Sequence, residues 1–176
     1  SWGLGFERFD TPDGAVVGHD GNTIGQAAFL RMVPAAGVAI ALLTNGGDGI
    51  SLYREIFGHL LAELAGVHLP PLPEPPANPE QVDVSRFLGT YSAEVFDLIV
   101  SQDEDGRIWI DQVPKGALVE MGGQAERTEL VHYRDDMLIP VEPDRGMFMP
   151  HAFLGDDGEG HSLYLHLGRA VRRAGA

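Results

Sequence analysis

The chain has 176 residues, 44% of them hydrophobic, which leaves room for one large or two small domains with a packed core. Acidic side chains outnumber basic ones 26 to 12, a formal net charge of −14, and this argues against nucleic acid and anionic membrane surfaces as partners, since both demand a basic face. No cysteine is present, so there is neither a disulfide framework nor thiolate chemistry, and no apolar run approaches the ~20 residues of a membrane span.

In chain order, Ser1 to Phe6 has no basic n-region and does not read as a signal peptide. Trp2, Leu4 and Phe6 alternate with Gly3, Gly5 and Glu7, which predicts a strand entered midway, as in the C-terminal part of a longer protein. Thr11-Pro12-Asp13-Gly14 is a turn, and Ala15-Val16-Val17 resumes a strand that runs into Gly18-His19-Asp20-Gly21-Asn22-Thr23-Ile24-Gly25-Gln26. Two readings of those nine residues stay open. They form a glycine-rich hairpin turn, or a strand edge where a ligand or second backbone approaches closely and an acyl substrate is held.

Ala27 to Val33 predicts the next strand, Pro34 to Gly37 a short loop, and Val38 to Leu43, apolar at both alternations, a central strand covered on both faces. Thr44-Asn45-Gly46-Gly47 closes it. A helix follows from Ser51 to Ala65, capped by Asp48 or Ser51, with Leu52, Ile56, Phe57, Leu60, Leu61 and Leu64 as its apolar stripe and Gly66 as its stop.

Between Leu69 and Glu80 stand six prolines, Pro70, Pro71, Pro73, Pro75, Pro76 and Pro79, which favour extended polyproline geometry and mark a linker over 69–81. Beyond it, one helical turn leads into Phe87-Leu88-Gly89-Thr90-Tyr91. Short strands are then predicted at Phe96-Val100, Arg107-Asp111, Glu129-Tyr133, Met137-Val141, Met147-Phe153 and Ser162-Leu167, with Asp/Gly-rich turns between them. This spacing predicts a barrel or sandwich. The acidic turns lack the ligand spacing of an EF-hand and read as hairpin turns. None of the seven histidines stands in an HExxH pattern, and His161 and His166 fall on opposite faces of one strand, so neither a metal site nor a cofactor is expected. No internal repeat is visible.

Three stretches, Gly18 to Gly25, Phe29 to Pro34 and Gly37 to Asn45, resemble the last part of the β-lactamase-related serine hydrolases, the family of class C β-lactamases, DD-peptidases and related esterases. Its third motif is Lys-Thr-Gly or His-x-Gly on a strand edge, and His19-Asp20-Gly21 matches the second form, with Thr23 and Gly25 matching the Thr and Gly that follow. The resemblance covers residues 1 to about 67. It implies that His19 and Gly21 lie in the catalytic site, with His19 polarising the substrate or the nucleophile's base network. It further implies that the Asn22 N–H supplies one arm of an oxyanion hole and that Asp20, Thr23 and Asn45 contact substrate. The family's Ser-x-x-Lys and Tyr-x-Asn motifs are absent. The single lysine, Lys115, follows Gln112 at that spacing, and the four tyrosines are followed two residues on by Glu55, Ala93, Asp135 and His166. The nucleophile and its base are expected upstream. The second part, opening at Phe87 to Tyr91, resembles the lipocalin-like barrel that follows such hydrolase domains.

The expectation is therefore an α+β fold with three parts. Antiparallel strands with one packed C-terminal helix fill 1–68, the proline linker spans 69–81, and an all-β lipocalin-like barrel fills 82–173. The resemblance implies an ester or amide substrate for the parent protein, cleaved through an acyl-serine, and an inactive chain in isolation. A rival class is a binding module, in which Phe96, Ile99, Trp109, Ile139, Phe148 and Tyr164 line a cavity for a small apolar ligand, or a barrel that only braces its neighbour. Self-association through the uncovered face of the first sheet is expected; the compartment is not fixed by the sequence.

Overall fold

A computed structural model describes residues 1–144 and 147–175 and is mostly β. It divides into two compact units, Ser1–Pro71 and the residues from Leu72 onward. The first holds a four-stranded antiparallel meander, β1 (Glu7–Thr11), β2 (Gly14–Thr23), β3 (Gln26–Val33) and β4 (Val38–Thr44), followed by helix α1 (Gly49–Ala65).

The hairpin between β1 and β2 turns at Pro12-Asp13, and the next at Ile24-Gly25, where Gly25 takes φ +74. The glycine-rich stretch is thus strand through Thr23 and turn only at its end. One glycine in it has a steric reason. A Cβ at Gly18 would collide with the Leu30 carbonyl oxygen and crowd the Arg31 side chain, which lies opposite Gly18 in register.

Three expectations need correction. Trp2 to Phe6 forms no strand; Trp2 makes only an isolated bridge to Glu7, and the Gly3 N–H turns back to the Phe6 carbonyl, with Gly5 at φ +81. β4 is an edge of the sheet, and its residues alternate between partly covered and exposed, Leu43 being 81% exposed. The apolar stripe of α1 is rotated. Tyr53, Phe57 and Leu61 are buried against the sheet, while Leu52 and Leu64 face solvent. Tyr53 displaces Leu52 because its ring stacks on Phe29, with centroids 4.7 Å apart. Asp48 caps α1 by accepting from the Ser51 N–H at 3.0 Å, and Gly66 ends it in the left-handed region at φ +64. Complete burial of side chains such as Phe57 and Leu61 contributes about 1.5–3 kcal/mol each.

The second unit is a closed eight-stranded antiparallel barrel in which each strand pairs with the next in sequence and the last with the first. Its strands are β5 (Gly89–Ser92), β6 (Phe96–Gln102), β7 (Ile108–Pro114), β8 (Glu126–Arg134), β9 (Met137–Pro140), β10 (His151–Leu154), β11 (Tyr164–His166) and β12 (Ala170–Arg173), with a short helix α2 (Ala117–Glu120) between β7 and β8. The expected Met147–Phe153 strand begins only at His151, since Pro150 has no N–H to give to a ladder. The barrel is filled by its own side chains. Leu98, Val100, Ile108, Ile110, Leu130 and Leu138 form its core with Tyr91, Phe153, Leu165 and Val171. Ile99, Trp109 and Tyr164 alternate with these and point outward, so they line no internal cavity.

One end of the barrel is plugged by residues 82–88. Val84 and Phe87 enter the core, and Phe87 stacks on Phe153 with centroids 4.3 Å apart. Arg173, at the end of β12, ties the plug down. It donates to the carbonyls of Leu88 (2.8 Å), Arg86 (3.0 Å) and Ser162 (2.8 Å) and to the Tyr91 hydroxyl (3.0 Å), with its guanidinium over the Tyr91 ring. A Cβ at Gly89, whose φ is +132, would collide with this guanidinium.

Arg173→Met is expected to lower the stability of the barrel by about 3 kcal/mol, because partly buried carbonyls lose a charged donor. Gly89→Ala should act in the same direction. Urea denaturation followed by circular dichroism checks both; an unchanged midpoint would show that the plug is held by Val84 and Phe87 alone. Limited proteolysis is expected to cut within 69–81 and release a folded barrel, read out by circular dichroism of the purified piece.

Candidate functional site

The alternation of β2 sorts the motif residues onto two faces. His19, Gly21 and Thr23 share the face that α1 does not cover; Asp20 and Asn22 share the other. On the uncovered face His19 stands opposite Leu30, and Gly21 opposite Ala28. The Trp2 ring meets the His19 ring edge to face, with centroids 5.7 Å apart. His19 is exposed, as are Gly21, Asn22 and Thr23.

Behind the motif lies an ion pair that the sequence did not announce. Arg31 is only 5% exposed, yet it sits in the middle of β3. Its guanidinium donates to both carboxylate oxygens of Asp20, at 2.6 and 2.8 Å, and to the Leu30 carbonyl at 2.8 Å. Aromatic rings flank it, Phe9 at 4.3 Å and Tyr53 at 5.0 Å from the guanidinium carbon. Burial works against the arginine's charge, but the Asp20 hydrogen bonds and the neighbouring Tyr53 and Asp20 charges outweigh it and raise its pKa. Burial raises the Tyr53 pKa in turn, against the pull of Arg31. The Asp20 carboxylate is therefore engaged on the helix side of the sheet, away from His19. The signal available in sequence was the lone charge in the apolar run Phe29-Leu30-Arg31-Met32-Val33.

The strand edge at the motif is open. β1 pairs with β2 only from Gly14 to Gly18, whereas β3 follows β2 to Thr23. From His19 to Thr23, β2 has no strand beside it on the β1 side among the described residues. Its backbone groups on that side are free to pair with an extended ligand. Asn45 follows the last residue of β4, Thr44, which pairs with Ala27, itself the partner of Asn22. It thus lies at the same end of the sheet but two strands away, about 10 Å at ordinary strand spacing. The structure brings His19, Gly21, Asn22 and Thr23 to one edge and leaves Asn45 apart.

Among the described residues, one group has metal-ligating character, Asp157, Glu159 and His161, in the turn before β11. Asp157 is already used there. Its Oδ1 accepts the N–H groups of Glu159 (2.8 Å) and His161 (3.0 Å), bonds that with the His161 ring hold its carboxyl below the usual carboxylate range. The turn holds its own geometry in this way.

No known family model matches the chain. Over 93 residues, 53% of its length, it is 46% identical to Penicillin-binding protein 4 of Amycolatopsis lactamdurans, of which it spans 24%. The crystal structure of SurE superposes on 98% of the chain with a TM-score of 0.69 and 29% identity, over 37% of the SurE chain. That of SurE with D-Leu gives a TM-score of 0.72 and 28% identity, over 98% of this chain and 38% of that one. The chain thus spans about a quarter of the curated relative and under two fifths of SurE. The first match supports a relation to the β-lactamase-related penicillin-binding proteins; the SurE structures are similar to the chain in fold and carry a different name.

Asp20→Asn is expected to destabilise the first unit by about 2–3 kcal/mol, since removing one partner strands a buried arginine, an effect moderated by the partial exposure of Asp20. His19→Ala, on the free face, should change stability by less than about 0.5 kcal/mol. Thermal denaturation of the two variants checks the contrast, and equal losses would mean that both faces are packed.

Proposed function

We propose that this chain is the C-terminal part of a β-lactamase-related serine hydrolase that cleaves an ester or amide through an acyl-serine, and that the open edge of β2 is one wall of its active site. The observation that carries the proposal is the five-residue overhang of β2 beyond β1, with His19 and Gly21 on its uncovered face. The identity to Penicillin-binding protein 4 supports the same family.

In this reading an extended acyl group lies along β2 and pairs with its free backbone. Gly21 leaves the space beside His19 into which the substrate settles. The N–H of Asn22 donates to the developing oxyanion; one such donor is worth about 3 kcal/mol in the transition state. His19 donates or accepts a proton near the leaving group or the nucleophile's base. Thr23 contacts the substrate farther along the edge. Asp20 acts through Arg31, as a positioning residue that fixes which face His19 occupies. The nucleophilic serine and its lysine come from sequence beyond the 176 residues, since no Ser-x-x-Lys occurs in them. D-Leu in one SurE structure makes an ester or amide bearing a D-amino acid the first substrate to try.

The chain alone is expected to show no turnover of p-nitrophenyl acetate or nitrocefin above a protein blank. Expressed together with its upstream coding sequence, it should hydrolyse at least one ester or amide, and His19→Ala should lower kcat/KM at least tenfold with the fold intact. Turnover by the isolated chain, lost on His19→Ala, would overturn the missing-nucleophile part of the proposal. An upstream sequence without Ser-x-x-Lys would overturn the family.

A further inference from the structure

An asparagine or aspartate that precedes glycine is where a chain can attack itself, because no Cβ shields the glycine nitrogen from the side-chain carbonyl before it. Six such pairs occur here: Asp13-Gly14, Asp20-Gly21, Asn45-Gly46, Asp48-Gly49, Asp105-Gly106 and Asp157-Gly158. Five of them are held and one is free.

Each of the five aspartates has its carboxylate engaged. Asp13 accepts from the His68 N–H at 2.9 Å, and Asp20 from the Arg31 guanidinium at 2.6 and 2.8 Å. Asp48 accepts from the Ser51 N–H at 3.0 Å and from its hydroxyl at 2.6 Å, and Asp105 from Arg107 at 3.2 Å. Asp157 accepts from the N–H groups of Glu159 at 2.8 Å and His161 at 3.0 Å. Such donors hold Asp13, Asp48 and Asp157 below the usual carboxylate range. An ionised carboxylate is a poor electrophile, and one held by a neighbour does not turn toward its own glycine.

Asn45 is the exception. Its side chain is a neutral amide, it is exposed, and it leads a bend of two glycines directly after β4. Neither its side chain nor the Gly46 N–H has a hydrogen-bond partner among the described residues. A Cβ built at Gly46 or Gly47 would meet nothing within 4 Å, so the approach is open. The other two asparagines lack this chemistry. Asn22 pairs with Ala27 in the β2–β3 ladder and precedes the β-branched Thr23; Asn78 precedes Pro79, which has no N–H to attack with.

We propose that Asn45 is a site of spontaneous deamidation. The Gly46 nitrogen bonds to Asn45 Cγ, the Cγ–Nδ2 bond breaks, and ammonia leaves with the Gly46 proton. Water then opens the five-membered imide at either carbonyl, giving aspartate or its β-linked isomer. The product carries one more negative charge, and the β-linked form adds a main-chain carbon to the connection between β4 and α1.

The test incubates the whole folded chain at pH 6 and pH 9, beside a free peptide of residues 43–51. Tryptic fragments are then weighed and sequenced by fragmentation. The Met32–Arg54 fragment contains Asn45 as its one asparagine. It is expected to become heavier by one mass unit, with β-linked aspartate at position 45. The rate should be at least a tenth of the free peptide's and at least tenfold higher at pH 9, because attack needs the deprotonated Gly46 nitrogen. Asn45→Gln, which would have to close a larger ring, should abolish the gain. Conversion slower than a tenth of the peptide's, equal conversion at Asn22 or Asn78, or β-linked aspartate forming as fast at the five Asp-Gly pairs would each overturn the proposal. None of these readouts depends on hydrolysis at β2.

Discussion

The arrangement of the first unit depends on the pairing of Arg31 with Asp20. A buried guanidinium without a carboxylate is untenable, and the sheet and α1 supply only one carboxylate at hydrogen-bond distance, Asp20. Because side chains alternate along a strand, fixing Asp20 on the helix side sends His19 and Gly21 to the other. A slip of one residue would point His19 at the arginine and put Asp20 in solvent, so the ion pair works as a register lock. Gly18 belongs to the same device. It lies opposite Arg31, and any side chain there would strike the Leu30 backbone and occupy the space the arginine's stem needs. Phe9 and Tyr53 complete the bracket from neighbouring elements, so a single side chain joins β1, β2, β3 and α1.

The second unit has an analogous tie in Arg173, whose four hydrogen bonds hold the plug segment to the last strand. The two units thus use an arginine in different ways. Arg31 is buried among rings and needs a carboxylate; Arg173 lies at a barrel end and is satisfied by backbone carbonyls and one hydroxyl. In both, a glycine beside the arginine, Gly18 or Gly89, supplies the space. The candidate site at β2 also arises from one feature of strand length: β2 outlasts β1 and leaves a stretch of strand with one side unclaimed among the described residues.

Much of this was legible in sequence because it rests on local signals. Turn residues placed the β1–β2 and β3–β4 hairpins, Asp48 and Gly66 bounded α1, and the spacing of short strands foretold a barrel. What escaped was set by tertiary pairing. The six apolar residues of α1 gave a stripe, but which of them faces the sheet was decided by the stacking of Tyr53 on Phe29, a contact between residues 24 apart in sequence. β4 looked central because both its alternations are apolar, yet composition cannot say how many strands lie beyond it. The short β12 is not among the predicted strands, though the expected barrel runs to 173; it pairs with β11 and β5 and carries Arg173 to the carbonyls it bonds. At the motif, sequence supplied His19 and Gly21 but not the overhang of β2, which depends on where β1 ends, nor the partner that removes Asp20 from the face.

The uncovered face of the first sheet connects these points. Val17, Leu30, Met32 and Leu43 lie on it with Ala28, Ala39 and Ala41, and His19 stands among them. On β1 the same face carries Arg8, opposite Val17, and Asp10, opposite Ala15. Across β2 to β4 it is largely apolar with small residues in the middle, a surface shaped for close cover. A hydrolytic site needs such cover, because excluding water strengthens each hydrogen bond to the reacting carbonyl. In the proposed site His19 and the β2 edge form one wall, and the apolar shelf beside them is where a second wall would rest. The face of the first sheet that α1 leaves uncovered is thus the face on which the proposed chemistry requires a lid.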